Sequence, residues 1–160
     1  MVSNEDLYIR TAVASWNQVI ARLDQMFSSF RDEELRREVS PGRNRVYYLM
    51  GHLTVAHDRL FTLLQLGERL HPELDDEFFT NPDRTYPDKI PPAVLRSAWN
   101  EVNSKLALAF AGLNATEWLE RHTAVSNEDF AKDPLRNRLA VLVSRSNHAS
   151  FHAGQIRLAS

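Results

Sequence analysis

The stretch from Ile9 to Phe30, IRTAVASWNQVIARLDQMFSSF, identifies the type of structure that this chain forms. Its large apolar residues recur at alternating spacings of four and three, which is the period of one face of an α-helix. The members of this stripe are Ile9, Val13, Trp16, Ile20, Leu23, Phe27 and Phe30. Ser3 is a suitable N-cap, and the acidic residues just after it suit the positive end of the helix dipole. The sequence therefore predicts a long amphipathic helix that begins near Ser3.

Three further helical segments follow. The turn signal SPGRN at residues 40–44 precedes a second helix, predicted from about Arg43 to about Leu66. Its inward stripe is formed by Leu49, His52, Ala56, Leu60 and Leu63. A third helix is predicted to start at Pro92, a residue suited to a first helical turn, and to end near Gly112. Pro134 is predicted to open the fourth long helix, and a short helical turn before it is predicted to have Thr116 as its N-cap.

The second and third helices are joined by a long polar stretch, HPELDDEFFTNPDRTYPDKIPP, at residues 71–92. Its prolines and charges exclude a regular element, so we expect an ordered crossover held in place by Phe78, Phe79 and Tyr86. Four amphipathic helices and no convincing strand predict an all-α protein, a four-helix bundle with a long crossover loop. A chain of this length is most simply one domain, so residues 1–160 are predicted to form a single bundle.

Composition excludes several classes of function. The formal net charge of -2 gives no support to nucleic-acid binding, which usually leaves a basic footprint. No apolar stretch approaches the length of a membrane span, and the first residues lack the pattern of a secretory signal. We therefore expect a cytoplasmic protein. Because the chain has no cysteine, disulfides, thiolate metal ligands and cysteine nucleophiles are all excluded.

Three histidines are predicted to face the core of the bundle. His148 and His152 lie one helical turn apart and about 40° apart around the fourth helix, on the same arc as Ile156. His52 lies in the middle of the apolar stripe of the second helix. Burying three imidazoles without partners is costly, and a divalent cation would remove that cost. The alternative is that all three are hydrogen-bonded core residues, and spacing alone leaves both interpretations open.

Two other polar residues lie close to this arc. His57 is predicted at the edge of the stripe or outside it, most simply as a surface residue, with an approach to the mouth of the site as the alternative. Arg145 falls between His148 and His152 around the helix, one turn earlier. Its side chain either extends outward from the end of the bundle, the interpretation favoured by the sequence, or supplies a cation for a substrate carboxylate.

The residues GHLTVAHDRLF at 51–61 and NHASFHAGQI at 147–156, on the second and fourth helices, resemble the DinB/YfiT-like family of metal-dependent enzymes. Members of that family show Gly-His-Leu early in the second helix and, near the C-terminus, two histidines separated by three residues. The resemblance implies that His52, His148 and His152 bind a divalent metal ion, zinc or nickel. Two positions depart from the pattern: many relatives have an acidic residue in place of His57 and an arginine in place of Ala153.

The resemblance also implies a set of functions. The family includes S-transferases and isomerases that use low-molecular-weight thiols, some hydrolases, and bundles that often pair as homodimers. Three protein nitrogens leave a coordination position open for a water or a small-molecule substrate. The expected function is therefore that of a metal-dependent, thiol-using S-transferase. The alternatives are a metal-dependent hydrolase of a small substrate, for which no general base is obvious, or a non-catalytic metal-binding bundle.

Overall fold

The computed structural model describes residues 3–160 and starts with the predicted long helix, α1, at Asn4–Ser29. The hydroxyl of Ser3 accepts the Asp6 backbone N–H at 3.0 Å, and the Asp6 carboxylate accepts the Ser3 backbone N–H at 3.2 Å. This reciprocal capping explains why the helix begins here. The predicted stripe of α1 is buried, except that Val13 and Ile20 are half-buried.

Six further α-helices follow within the described residues. They are α2 (Val46–Asp58), α3 (Leu60–Leu63), α4 (Pro92–Gly112), α5 (Ala115–Trp118), α6 (Asn127–Lys132) and α7 (Arg138–Arg157). Single turns of other helical type lie at Glu34–Arg36, Pro72–Leu74 and Asp76–Thr80, the last of them a π-helical turn. No β-strand occurs in residues 3–160, so the predicted all-α class is confirmed.

The second helix is shorter than predicted. It starts at Val46 instead of Arg43, and it is interrupted at Arg59 before the single turn of α3. The chain then leaves the helix through Gln65 and Gly67, whose φ angles are 57° and 140°. Positive φ cannot continue a right-handed helix, which explains why the predicted end at Leu66 comes too late.

Two predicted helix starts are also wrong. The last long helix begins at Arg138 and not at Pro134, because the Asn137 side chain accepts the Ala140 N–H at 2.9 Å and caps it. The short helix α5 is capped by Asn114, which accepts the Glu117 N–H at 3.0 Å, and not by Thr116. In both cases the helix starts directly after an asparagine that caps it, and not at the predicted position. The short helix α6 was not anticipated.

The four long helices pack so that α1 contacts α7, α7 contacts α2, α2 contacts α4 and α4 contacts α1. Each of these four helices thus packs against two of the others. Every residue of α2 except His52 is buried, because α2 also packs against the segment of residues 72–80. The site histidine thus lies on the most enclosed helix of the molecule. No helix in residues 3–160 has the length and apolar character needed to cross a membrane.

The crossover between α3 and α4 is ordered, as predicted, but only one of its three aromatic residues is buried. Phe78 is fully enclosed, whereas Phe79 and Tyr86 are each 41% exposed. The ring of Phe78 packs over α2 at Gly51, where an added Cβ would come within 2.2 Å of the ring. Only glycine permits this approach. The contact fixes the π-helical turn directly beside His52.

Candidate metal centre

The three predicted histidines meet between α2 and α7. Nε2 of His148 lies 3.1 Å from Nε2 of His52 and 3.2 Å from Nε2 of His152. One nitrogen from each ring lies within 4.8 Å of the other two. All three side chains are half-buried. The structure therefore brings together all three residues that the sequence placed on the inward arcs.

Hydrogen bonds on the outer side of two rings fix their orientation. Nδ1 of His52 donates to the backbone carbonyl of Phe78 at 3.0 Å, and Nδ1 of His152 donates to Oε1 of Gln155 at 2.7 Å. Because both rings are neutral with the proton on Nδ1, each presents an Nε2 lone pair toward His148. A bond from the second nitrogen to a carbonyl or amide oxygen is the usual arrangement behind a metal-ligating imidazole.

The donor set fits a divalent metal ion. If His148 carries its proton on Nε2, it can donate that proton to Nε2 of His52 or of His152, but its contact with the other ring then brings two lone pairs together. Its Nδ1 would then be an acceptor, yet this atom is buried and has no hydrogen-bond partner in the described residues. Tetrahedral zinc with nitrogen ligands at about 2.0–2.1 Å separates those nitrogens by about 3.3–3.4 Å. The observed separations of 3.1 and 3.2 Å are close to this value.

The local electrostatics keep the imidazoles neutral. Burial lowers the pKa of His148 to about 4, helped by the nearby rings of His152 and His52 and by Arg145. Burial also lowers the pKa values of His52 and His152, each partly opposed by its outer hydrogen bond. Neutral imidazole is the form that binds metal ions, so the site is ready for a cation at pH 7 without losing protons.

Aromatic rings surround the cluster. The ring of His52 lies nearly parallel to the rings of Tyr48 and Phe79, with centroid distances of 6.1 and 5.7 Å. Phe151 meets His152 edge-on at 5.3 Å. No carboxylate in residues 3–160 is hydrogen-bonded to any of the three histidines. The cluster is thus a nitrogen-only site with aromatic rings against two of its three imidazoles.

The acidic residues of the crossover are held elsewhere. Asp75 pairs with Arg59 and Arg69, Asp76 accepts from the Asn81 side chain, and Glu77 accepts from the Tyr47 hydroxyl at 3.1 Å. Each has a structural partner away from the histidines.

His57 is not at the edge of the stripe. It is fully buried, its Nδ1 donates to Oδ1 of Asn103 at 2.9 Å, and its ring contacts Trp16 and Trp99. Burial lowers the pKa of His57 to about 3. The expectation placed His57 outside the core because it assumed one buried face, whereas α2 is enclosed on all sides. His57 therefore serves the packing of α2 against α1 and α4.

Three contributors to the site were not identified as such from the sequence. Gln155 follows His152 by three residues, and this i, i+3 spacing could have marked it as a hydrogen-bond partner. The Phe78 carbonyl is a backbone group from a loop, so no residue pattern reveals it. The close approach of the Phe78 ring to Gly51 is likewise a tertiary contact.

The comparison with known families agrees with the geometry. The sequence profile of the DinB superfamily matches residues 15–156, which include all four long helices in whole or in part and all three histidines. The fold and the site together define an all-α protein with a three-histidine cluster between its second and last long helices. The chain belongs to the DinB superfamily. A search of curated proteins found no match to the chain.

Proposed function

We propose that the protein is a metal-dependent enzyme that binds one divalent ion, zinc or nickel, through His52, His148 and His152. The observation that carries this proposal is the convergence of three Nε2 atoms, two of them fixed as lone-pair donors by outer hydrogen bonds. Superfamily membership supports it independently. A three-nitrogen donor set is typical of catalytic sites, since structural zinc sites usually have four protein ligands.

The proposed reaction is transfer of a low-molecular-weight thiol to a small electrophile. His52, His148 and His152 would hold a divalent metal, which would supply Lewis acidity and so lower the pKa of a bound thiol or water. The Nδ1 bonds of His52 to the Phe78 carbonyl and of His152 to the Gln155 side chain orient these two rings. The rings of Tyr48, Phe79 and Phe151 contact His52 or His152 and supply apolar surface beside the cluster.

Thiol transfer is favoured over hydrolysis by the lack of a positioned base. A metal-dependent hydrolase benefits from a carboxylate that takes a proton from the attacking water. No carboxylate of the described residues is hydrogen-bonded to the cluster, and the loop acids Asp75, Asp76 and Glu77 are paired elsewhere. Since the chain has no cysteine, the thiol must come from a cosubstrate.

Metal analysis of purified protein tests the site. We expect about one zinc or nickel ion per chain in the natural protein and a loss of that metal in His52→Ala and His148→Ala. His71→Ala is the matched control, because His71 contacts Glu73 and Glu101 and takes no part in the cluster. Equal metal content in the natural protein and in both cluster variants would reject the site.

Activity tests then separate the functions. Metal-loaded protein is assayed with glutathione, bacillithiol and mycothiol against an electrophile panel, and separately with an ester panel. Thiol consumption that disappears in His148→Ala supports the transferase. Ester hydrolysis that disappears in His148→Ala supports the hydrolase instead. Metal binding without turnover in either panel supports a non-catalytic metal-binding bundle.

A further inference from the structure

A cavity of about 380 Å³ lies beside the histidine cluster, within the size range of small-molecule sites. Arg59, Arg69, Phe79 and Arg145 are among the residues that line it. The Phe79 ring joins it to the cluster, because that ring also stacks on His52 at 5.7 Å with an angle of 15° between planes. Arg145 precedes His148 by one turn of α7, which places both side chains on the same face.

The charges around this cavity do not balance. Asp75 pairs with both Arg59 and Arg69, and the buried Asp58 also accepts from Nε of Arg69 at 3.0 Å. Two carboxylates therefore neutralise two guanidinium groups. Arg145 forms no ion pair and no hydrogen bond with any residue in 3–160. The cavity wall thus carries one uncompensated positive charge.

Two guanidinium nitrogens at this wall have unused hydrogen-bonding capacity. Nε of Arg59 and Nε of Arg145 are both buried without an acceptor in the described residues. Burial and the neighbouring Arg59 lower the pKa of Arg145, although a guanidinium remains protonated at pH 7. A half-buried cation without a counter-charge is costly to the fold, so it is typical of a residue kept for a ligand.

We propose that Arg145 binds a carboxylate of the substrate or thiol cosubstrate and so selects acidic small molecules for the histidine site. This inference rests on the proposed function, because it concerns a molecule that reaches the same site. A carboxylate matches the single uncompensated charge and the planar donor edge of a guanidinium. A phosphate carries about -1.5 to -2 at pH 7 and would exceed that charge. Arg59 is occupied by Asp75 and Phe79, so Arg145 is the primary binding group.

The test compares an acidic probe with its neutral isostere. Binding of 3-mercaptopropionate and 3-mercaptopropionamide to zinc-loaded protein is measured by isothermal titration calorimetry. We expect the acid to bind at least about tenfold more tightly than the amide, since a hydrogen bond to a charged group contributes about that much. Arg145→Gln should abolish the preference without weakening the amide, and Arg145→Lys should retain part of it. Arg157→Gln is the matched control, because Arg157 is an exposed arginine of the same helix.

A second measurement does not depend on metal or thiol chemistry. Metal-free protein is titrated with propionate while the arginine Nε–H signals are followed by NMR. We expect propionate to shift the Arg145 signal in the natural protein and in Arg157→Gln. In Arg145→Gln, which lacks that signal, we expect propionate to shift no other arginine Nε–H signal. A thermal melt of each variant confirms that it is folded.

The outcomes separate the two proposals. If neither thiol probe binds zinc-loaded protein but propionate still shifts the Arg145 signal, the carboxylate site stands and the thiol function fails. If the acid and the amide bind equally and propionate shifts nothing, the role of Arg145 is overturned while the thiol function stands. An acid preference that survives in Arg145→Gln also overturns it.

Discussion

Gly51→Ala is expected to disturb the candidate metal centre, although Gly51 is not one of its proposed ligands. Gly51 precedes His52, and a Cβ on it would lie 2.2, 2.3 and 2.6 Å from Cδ1, Cγ and Cε1 of Phe78. These distances are about 0.8–1.2 Å below the shortest ordinary contact of 3.4 Å, and the Phe78 ring is fully buried. We therefore expect the turn of residues 76–80 to shift away from α2. The carbonyl that orients His52 belongs to that turn.

The magnitudes follow from two opposing effects. Overpacking in a dense core costs about 1–3 kcal/mol, whereas alanine is preferred over glycine inside a helix by about 1 kcal/mol. We expect a net loss of up to about 2 kcal/mol in the free energy of unfolding. Loss of a hydrogen bond behind a ligating histidine typically weakens metal affinity by about 10–100-fold, and we expect a change of that size here.

Urea unfolding of metal-free protein measures the stability, and competition with a chelator measures the zinc affinity. Gly154→Ala is the matched control, because Gly154 lies in α7 two residues after His152 and an added Cβ there meets nothing within 4 Å. It should leave zinc affinity unchanged and raise stability by up to about 1 kcal/mol. Phe78→Leu in the Gly51→Ala background should recover part of the affinity.

Two results would refute this reasoning. Unchanged stability and affinity in Gly51→Ala would show that the ring of Phe78 moves aside at no cost. A loss of stability with unchanged zinc affinity would show that the Phe78 carbonyl does not position His52.

Three further predictions concern other contacts. Gln155→Ala should weaken zinc affinity about tenfold or more by freeing Nδ1 of His152, measured by the same chelator competition against Gly154→Ala. His57 has a pKa of about 3 when folded against 6.5 when unfolded. Between pH 3 and pH 6.5 the unfolded chain thus binds more protons than the folded chain. The free energy of unfolding should therefore decrease as the pH falls from about 6.5 toward 3. His57→Gln should flatten part of that slope in urea titrations, and an unchanged slope would contradict the assignment. Asp58→Ala should cost about 1–3 kcal/mol in thermal or urea unfolding, because it removes the acceptor of the backbone N–H of Leu70, whereas Arg69 keeps its pairing with Asp75.

The site residues could be predicted because two of them share a helix and all three interrupt apolar stripes. A helix fixes the angle between residues four apart, so the joint direction of His148 and His152 follows from their spacing. His52 could be placed on an inward face by the same rule. The structure confirms that these directions meet, at nitrogen separations of 3.1 and 3.2 Å.

The positions of His57 and Arg145 could not be obtained in this way. Periodicity gives the direction of a side chain relative to its own helix, but not how many neighbours enclose that helix. Because α2 packs against α4, α7 and the segment of residues 72–80, the face predicted for solvent is buried and His57 with it. Arg145 had two interpretations from the sequence, and its place at the cavity wall came only from the packing of Phe79 and Arg59 beside it.

The chain's own pattern thus determined the presence of its four long helices, its all-α class and the three inward histidines, since these depend on spacings of a few residues along one helix. The tertiary structure alone decided which backbone carbonyl orients His52, why Gly51 must lack a side chain, and which arginine has no counter-charge. Those features join residues far apart in the chain. They depend on how the crossover packs against α2, which no local period encodes.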